Sequence, residues 1–280
     1  MGVTHFNCMP GGNPKKPVTT ADEVTVLTVA DLHQSRKLYE ELVQAVALHK
    51  PDVVALVGDC LHAGEDFKGR LTVQQCAATL NALPCQEVVF ARGNHEDENW
   101  VEFAKYWRST KRPLVALNGE VFTFGPLVVV GFPCLLGDES HFLEEREPLP
   151  YDTSEWLMPL IRLQGAPARS LWLVHEPPKG TPLSKAGSVV EGNQEWTDAV
   201  ENFNPMLVIS GHDHLTPQKT KRWHCKLGTT TCINVGQTDH GPLHYCVVKA
   251  QFGAATPCLP LGIEVSAFPA NQTVCILKCA

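Results

Sequence analysis

Residues able to do chemistry stand just beyond five short apolar runs. Val24–Ala30 leads into Asp31 and His33, Val53–Val57 into Gly58 and Asp59, and Glu87–Ala91 into Gly93, Asn94, His95 and Glu96. Leu171–Val174 runs into His175, and Met206–Ser210 into Gly211, His212, Asp213 and His214. In extended chain, residues i and i+2 point to the same side, so Asp31 and His33 could grip one ion together, as could His212 and His214. The glycines before Asp59, Asn94 and His212 permit tight turns and close backbone approach. Pooled, these residues offer carboxylate, imidazole and amide ligands without thiolate. That set suits Mn, Fe, Zn or Co better than Mg, which prefers oxygen. A single histidine at a strand end is ordinarily a solvated or satisfied residue, and Gly93-Asn94-His95 alone could be a turn. Five such signals, each closing an apolar run, exceed what those bland readings explain.

The elements that must position these groups are legible from periodicity. Val24–Ala30 and Val53–Val57 are β-branched apolar runs, expected as strands buried on both faces. Between them, Gln34–Lys50 places Leu38, Leu42, Val43, Val46 and Ala47 at helical spacing, and Pro51 stops it. A helical stretch over Leu71–Leu83 precedes a third strand at Glu87–Ala91. This β-α-β-α-β alternation predicts parallel strands with right-handed crossovers, and ligands bind beyond the carboxyl ends of such strands. Val121–Phe124 and Leu127–Gly131, around Gly125-Pro126, predict a hairpin. Later strands are expected at Leu171–Val174, Met206–Ser210, Cys232–Val235 and His244–Ala250, with helices at Ser154–Leu163 and Gln194–Asn202. That is too many strands for one parallel sheet, so the expected fold is α/β with two packed sheets covered by helices.

Composition bounds the alternatives. The chain of 280 residues is 44% hydrophobic and 19% charged, which supports a sizeable core and excludes an intrinsically disordered protein. A net charge of −7 argues against a dedicated nucleic-acid binder. The 11 cysteines are odd in number and scattered, with no C-x-x-C pair, and are expected as reduced, mostly buried thiols. The polar stretch Met1–Pro17 has no apolar h-region, Phe6 stands where a myristoylation motif needs Ser or Thr, and Cys279 is too near the end for a prenylation box. No apolar stretch approaches the roughly 18 residues of a membrane span. These features predict a soluble, cytoplasmic protein with a flexible leader over 1–20 and one domain over 21–250. A C-terminal extension over 251–280 is expected to pack on that domain or trail from it. Pro257, Pro260 and Pro269 suggest an irregular tail there with one edge strand at most.

The order D-x-H, G-D, G-N-H-E, a lone His and G-H-x-H resembles the calcineurin-like metallophosphoesterase family over roughly residues 22–250. His175-Glu176-Pro177-Pro178-Lys179-Gly180 and Asn234-Val235-Gly236 are also similar to segments of small bacterial members. The resemblance implies a four-layer αββα sandwich with two mixed β-sheets and a pair of metal ions. Asp31, His33, Asp59 and His214 would hold the first ion; Asp59, Asn94, His175 and His212 would hold the second, with Asp59 as the bridge. Such a pair, about 3.5–4 Å apart, lowers the pKa of a shared water toward about 7, and the hydroxide attacks phosphorus in line. His95, not a ligand in the family, would be the general acid for the leaving group.

Departures from the family pattern narrow the reading. Many relatives carry Asp three residues after the bridging Asp; here that position is His62. An imidazole cannot do a carboxylate's job, so either Glu65 or Asp66 substitutes, or His62 faces the substrate, or His95 is a weaker acid. A merely tolerated His62 is the bland alternative. Arg92 echoes the protein-phosphatase branch, as a phosphate contact or a structural ion pair, but no Asp-Arg-Gly follows Asp59. Lys179 and Lys185 could meet an anionic substrate or simply be solvated. The expected activity is therefore hydrolysis of small phosphodiesters or phosphomonoesters. A protein-phosphatase-like monoesterase and a non-catalytic binding module on the same scaffold are the alternatives. The module reading is disfavoured because such proteins tend to lose ligands, whereas all seven are present here. A nuclease would need a basic track, and there is none.

Overall fold

The computed structural model describes residues 22–62, 69–96, 99–110, 112–117, 119–132, 134, 170–184, 192–238, 241–253 and 256–278. The leader over 1–20, the helix expected at Ser154–Leu163 and Lys185 lie outside them.

The first half alternates strand and helix as the periodicity requires. In order come β1 (Asp22–Val29), α1 (Arg36–His49), β2 (Val53–Val57), α2 (Val73–Asn81), β3 (Glu87–Ala91), α3 (Trp100–Arg108) and β4 (Val115–Leu117). Strands β1 to β4 pair in parallel, side by side. Helix α1 buries Leu38, Tyr39, Leu42, Ala45 and Val46, and ends at Lys50 in the left-handed conformation, just before Pro51. Helix α2 begins in a reciprocal cap in which the Thr72 side chain accepts from Gln75 N and the Gln75 side chain accepts from Thr72 N. Helix α3 lies outside the elements expected from sequence, although Trp100, Phe103, Ala104 and Trp107 recur at helical spacing and the last three are buried.

A second sheet follows: β5 (Glu120–Phe124), β6 (Leu127–Gly131), β7 (Ser170–Leu173), α4 (Gln194–Phe203), β8 (Leu207–Ser210), α5 (Thr216–Thr220), β9 (His224–Leu227) and β10 (Thr230–Asn234). Its order is β5-β6-β7-β8-β10-β9, with parallel pairing from β6 to β10 and antiparallel strands at both edges. The chain then returns to the first sheet through β11 (Tyr245–Gly253), β12 (Thr256–Phe268) and β13 (Gln272–Lys278), giving the order β13-β12-β11-β1-β2-β3-β4.

These last strands correct the expectation of an irregular tail with one edge strand. Strand β12 pairs with both β11 and β13, so two strands are added rather than one. Pro260 lies where the β11–β12 register shifts, and Pro269 follows the end of β12, so neither interrupts the regular ladder. From there on Ile263, Val265 and Ala267 alternate inward, the period-two signal that the prolines obscured.

Alternation along each strand divides the core into layers. Val53, Ala55 and Val57 of β2 face the second sheet and meet Leu171, Leu173 and Ile209 there. Val54 and Leu56 face outward onto α1, α2 and α3, packing with Leu38, Leu42, Cys76 and Phe103. On the far side, Trp172 and Val208 pack beneath Trp196 and Val200 of α4. Helices, sheet, sheet and helix thus form the four-layer αββα sandwich with two mixed sheets. No helix among the described residues is long and apolar enough to cross a membrane.

Candidate metal centre

The parallel strands of both sheets end at one place. Asp31 and His33 follow β1, Asp59 follows β2, Asn94 and His95 follow β3, His175 follows β7, and His212 and His214 follow β8. The ladder continues past the strands: Asp31 N donates to Gly58 O (3.0 Å) and His33 N to Asp59 O (2.9 Å). Backbone at Asp31, His33, Asp59 and His212 is left-handed, with φ of 56°, 44°, 52° and 64°. Non-glycine residues rarely hold that conformation unless their surroundings over-determine it, and such strain of about 1–3 kcal/mol each clusters at functional sites.

Two contacts lock the sheets together at this end. His212 N donates to both Asp31 carboxylate oxygens at 3.1 and 3.0 Å, and the His175 ring meets Val57 O through Nδ1 at 3.0 Å. Gly58, at φ 84°, and Gly93 let the chains come close. A methyl group on Gly58 would overlap the His175 ring, and one on Gly93 the Asp59 carboxylate.

Side chains converge in three groups, each with its ligand atoms within 4.8 Å of one another: Asp31, His33 and His214 in one, Asp59, His175 and His212 in a second, and His33, His62 and His95 in a third that adjoins the first through His33. His33 Nε2 lies 3.2 Å from His214 Nε2, and His214 Nε2 lies 3.4 Å from Asp31 Oδ1. His175 Nε2 lies 3.2 Å from Asp59 Oδ2, 3.1 Å from Asn94 Oδ1 and 3.3 Å from His212 Nδ1. Asp59 Oδ2 also lies 3.9 Å from His33 Nε2, so this carboxylate stands between the first two groups. All seven ligand positions expected from sequence are therefore brought together, and His95 adjoins them with Nε2 3.9 Å from Asp59 Oδ2.

The donor set fits a cation. A carbonyl can only accept, so the Val57 contact makes Nδ1 of His175 the donor. On a neutral ring, Nε2 then presents a lone pair to the Asp59 carboxylate and the Asn94 oxygen. Such a gathering of acceptors requires a positive species, a proton or a metal ion. Burial opposes charge on His175, but the Asp59 and Asp31 carboxylates outweigh it and hold its pKa well above the ordinary value. Burial likewise raises Asp59, yet the charges on His175, His33 and His95 bring it far below the carboxylate range. His33 is pushed down to about 4, chiefly by burial. The carboxylates are thus held ionised and His33 neutral, as metal ligation requires, whereas the carboxylates favour a proton on His175 and His214 that a metal ion would displace.

Several supporting residues carried no role in the sequence reading. Glu96 is buried, and its carboxylate accepts from Asp59 N (2.9 Å), Leu61 N (3.0 Å) and Gly93 N (2.6 Å), clamping the loops after β2 and β3. Asn234 donates to Leu183 O and Asp213 O and accepts from Gly236 N, tying together three loops. His62 joins the site rather than pointing away. Gln34 Oε1 accepts from its backbone N–H and Asn99 Nδ2 donates to its carbonyl, at 3.0 and 2.7 Å. Its ring lies edge-on to His33, with centroids 5.6 Å apart. Arg92 sits over the Trp100 ring, its guanidinium carbon 5.8 Å from the centroid.

Among known proteins, the profile of the calcineurin-like phosphoesterases matches residues 24–215, more than half of the chain and all seven ligand positions. The chain belongs to the calcineurin-like phosphoesterase family. No curated protein matches it by sequence. Among solved structures, this calcineurin-like phosphoesterase is similar to TT1561 of Thermus thermophilus, with 16% identity, 84% of this chain and 99% of the other covered, and a TM-score of 0.59. It is also similar to a dimetal phosphatase from Danio rerio, at 12% identity, 91% and 99% coverage and a TM-score of 0.54. The purple acid phosphatase PPD1 of yellow lupin (Lupinus luteus) seeds shows 11% identity, 91% and 53% coverage and a TM-score of 0.53. At these identities the likeness is one of fold.

Proposed function

We propose that this chain is a metal-dependent phosphoesterase that hydrolyses small phosphodiesters or phosphomonoesters. Asp31, His33, Asp59 and His214 would hold one ion, and Asp59, Asn94, His175 and His212 a second. The observation that carries the reading is Asp59 Oδ2, which faces His175 of one group at 3.2 Å and His33 of the other at 3.9 Å. A carboxylate with ligand nitrogens on both sides is what a bridging position needs. Mixed ligation, with two imidazole nitrogens and two oxygens for each ion and no thiolate, favours Mn, Fe, Zn or Co. When bound, such a pair would lower the pKa of a water toward about 7 and offset charge on the phosphoryl oxygens.

The remaining work falls to the chain itself. Asp59 Oδ1 accepts from His95 N at 2.9 Å, which fixes the backbone of the proton donor to the bridging carboxylate. The His95 side chain is 31% exposed and opens into a cleft that also reaches Asp59, His212 and His214. From that wall its ring can give a proton to a departing alkoxide. Glu96 and Asn234 hold the loops in register so that the ligand atoms stay convergent.

The decisive experiment is an assay of Mn²⁺-loaded protein on nitrophenyl phosphate and bis-nitrophenyl phosphate, with Asp59→Asn alongside. Hydrolysis of at least one ester is expected, with loss in the variant. Full activity in Asp59→Asn would sink the bridging role, and no activity with any of the four metals would sink the enzyme reading. The ratio of the two rates separates diesterase from monoesterase.

A further inference from the structure

The cleft above the candidate metal centre measures about 780 Å³, far more than one phosphate group requires and within the range of sites that enclose drug-sized ligands. Its outer wall is α5 and the turn that ends it. Thr216, Lys219 and Thr220 line the cleft, and their spacing of three and four residues puts them on one helix face. The opposite face, through Pro217, Gln218 and Lys221, lines a separate cavity of about 260 Å³. Lys221, left-handed at φ 60°, turns the chain so that Arg222 lines the cleft as well. Leu215 completes the wall beside His214 and is 48% exposed.

The chemistry of this wall differs from that of the metal centre. Lys219 and Arg222 make no ion pair among the described residues. The cleft also touches the Asp213 side, but its carboxylate Oδ1 accepts from Leu215 N (3.1 Å) and Thr216 N (2.9 Å) and so serves the turn into α5. An exposed apolar side chain next to the metal ligands, followed by an ammonium and a guanidinium, makes a graded surface. Such a surface matches an organic group bearing an anion at its far end, and the guanidinium fork suits phosphate oxygens in particular.

We propose that α5 and its turn form a substrate subsite, in which Lys219 and Arg222 bind a second phosphate carried by the organic part of the phosphoester. Leu215 packs against the organic part between the two phosphates. This rests on the phosphoesterase reading above and names its substrate class: esters with a second phosphate, in preference to esters with a single one. The net charge of −7 does not oppose it, because the stretch from Leu215 to Arg222 contributes Lys219 and Arg222 to the cleft and holds no carboxylate.

Two matched pairs of probes test the subsite on the full Mn²⁺-loaded chain. Calorimetry compares thymidine 3′,5′-bisphosphate with thymidine 5′-monophosphate, and kinetics compares the 5′-nitrophenyl phosphate ester of thymidine with and without a 3′-phosphate. The second phosphate is expected to tighten binding and raise kcat/KM by about fivefold or more, with the gain eroded by salt. In K219A/R222A both ratios should fall to about one. Equal affinity for the two nucleotides in the wild type, or a ratio that survives in the double variant, overturns the proposal. If neither ester turns over but the bisphosphate binds more tightly through Lys219 and Arg222, the subsite stands and the hydrolytic reading falls. Circular dichroism of the double variant separates lost recognition from lost folding.

Discussion

The rings of His62 and His95 lie within 13° of parallel, with centroids 5.2 Å apart. His62 occupies the position where many family members carry Asp, and the structure places it directly beside the proposed proton donor. Gln34 and Asn99 hold its backbone from both sides, so it is built into the loop. A neighbour that orients the acid should matter less than the acid itself. His95→Ala is expected to lower kcat by about 10²–10⁴, the usual contribution of general acid catalysis, and His62→Ala by about tenfold. Steady-state kinetics on a substrate with a poor leaving group checks this, since such a substrate depends most on protonation. Equal losses would rule out the ranking.

Glu96 supports the candidate metal centre from a buried position. Replacing it by Ala leaves the N–H groups of Asp59, Leu61 and Gly93 without their acceptor in a buried place. Each such loss costs about 1–3 kcal/mol, so Glu96→Ala should destabilise the fold by several kcal/mol. It should also weaken Mn²⁺ binding, because the loops bearing Asp59 and Asn94 lose their common anchor. Urea unfolding and metal titration measure the two effects separately; unchanged metal affinity in a folded variant would count against the anchoring role.

Backbone geometry and close packing can be separated at two glycines. Gly58 has φ 84° and a methyl group there would overlap His175, whereas Gly69 has φ 105° with open space around it. Gly69→Ala should cost only the backbone strain, about 1–2 kcal/mol. Gly58→Ala should cost clearly more and abolish metal binding. Thermal unfolding of both variants tests this, and equal shifts would mean that overlap with His175 is relieved cheaply.

Metal binding should appear as stability. A ligand present at a hundred times its Kd stabilises the native state by about 2.7 kcal/mol. Mn²⁺ is therefore expected to raise Tm and EDTA to reverse the rise. His214→Ala, at a half-buried side chain whose loss the fold can tolerate, should shrink the shift. A Tm indifferent to Mn²⁺, Zn²⁺, Fe²⁺ and Co²⁺ would contradict the metal assignment.

The thiols give a readout away from the site. Burial pushes Cys76 and Cys246 up to about 12, so neither forms much thiolate near pH 8. Cys275 is exposed. Peptide mapping after brief native alkylation should find Cys275 modified and Cys76 and Cys246 protected until the chain is unfolded.

Much of this arrangement could be read from the chain alone, because it depends on local periodicity. Val24–Ala30, Val53–Val57 and Glu87–Ala91 announce buried parallel strands by composition, and parallel strands place their following loops at one end. The ligand types follow from those loops. Other features depend on partners far away in sequence. That β12 and β13 extend the first sheet depends on pairing with β11, which no local signal near Pro257 and Pro260 carries. That Glu96 is a clamp depends on N–H groups at Asp59 and Leu61, 37 and 35 residues distant.

What the sequence determined by itself was the inventory: seven residues with ligand chemistry and the strands that carry them, with His95 as the proton donor that the family resemblance implies. Only the tertiary structure decided that Asp59 Oδ2 stands between two groups of ligands, that His62 lies alongside His95, and that Lys219 and Arg222 share a cleft with them. The reason is physical. Ligand identity is a property of each side chain, whereas convergence is a property of two sheets whose strand ends are brought together by packing and by the Asp31–His212 and His175–Val57 contacts.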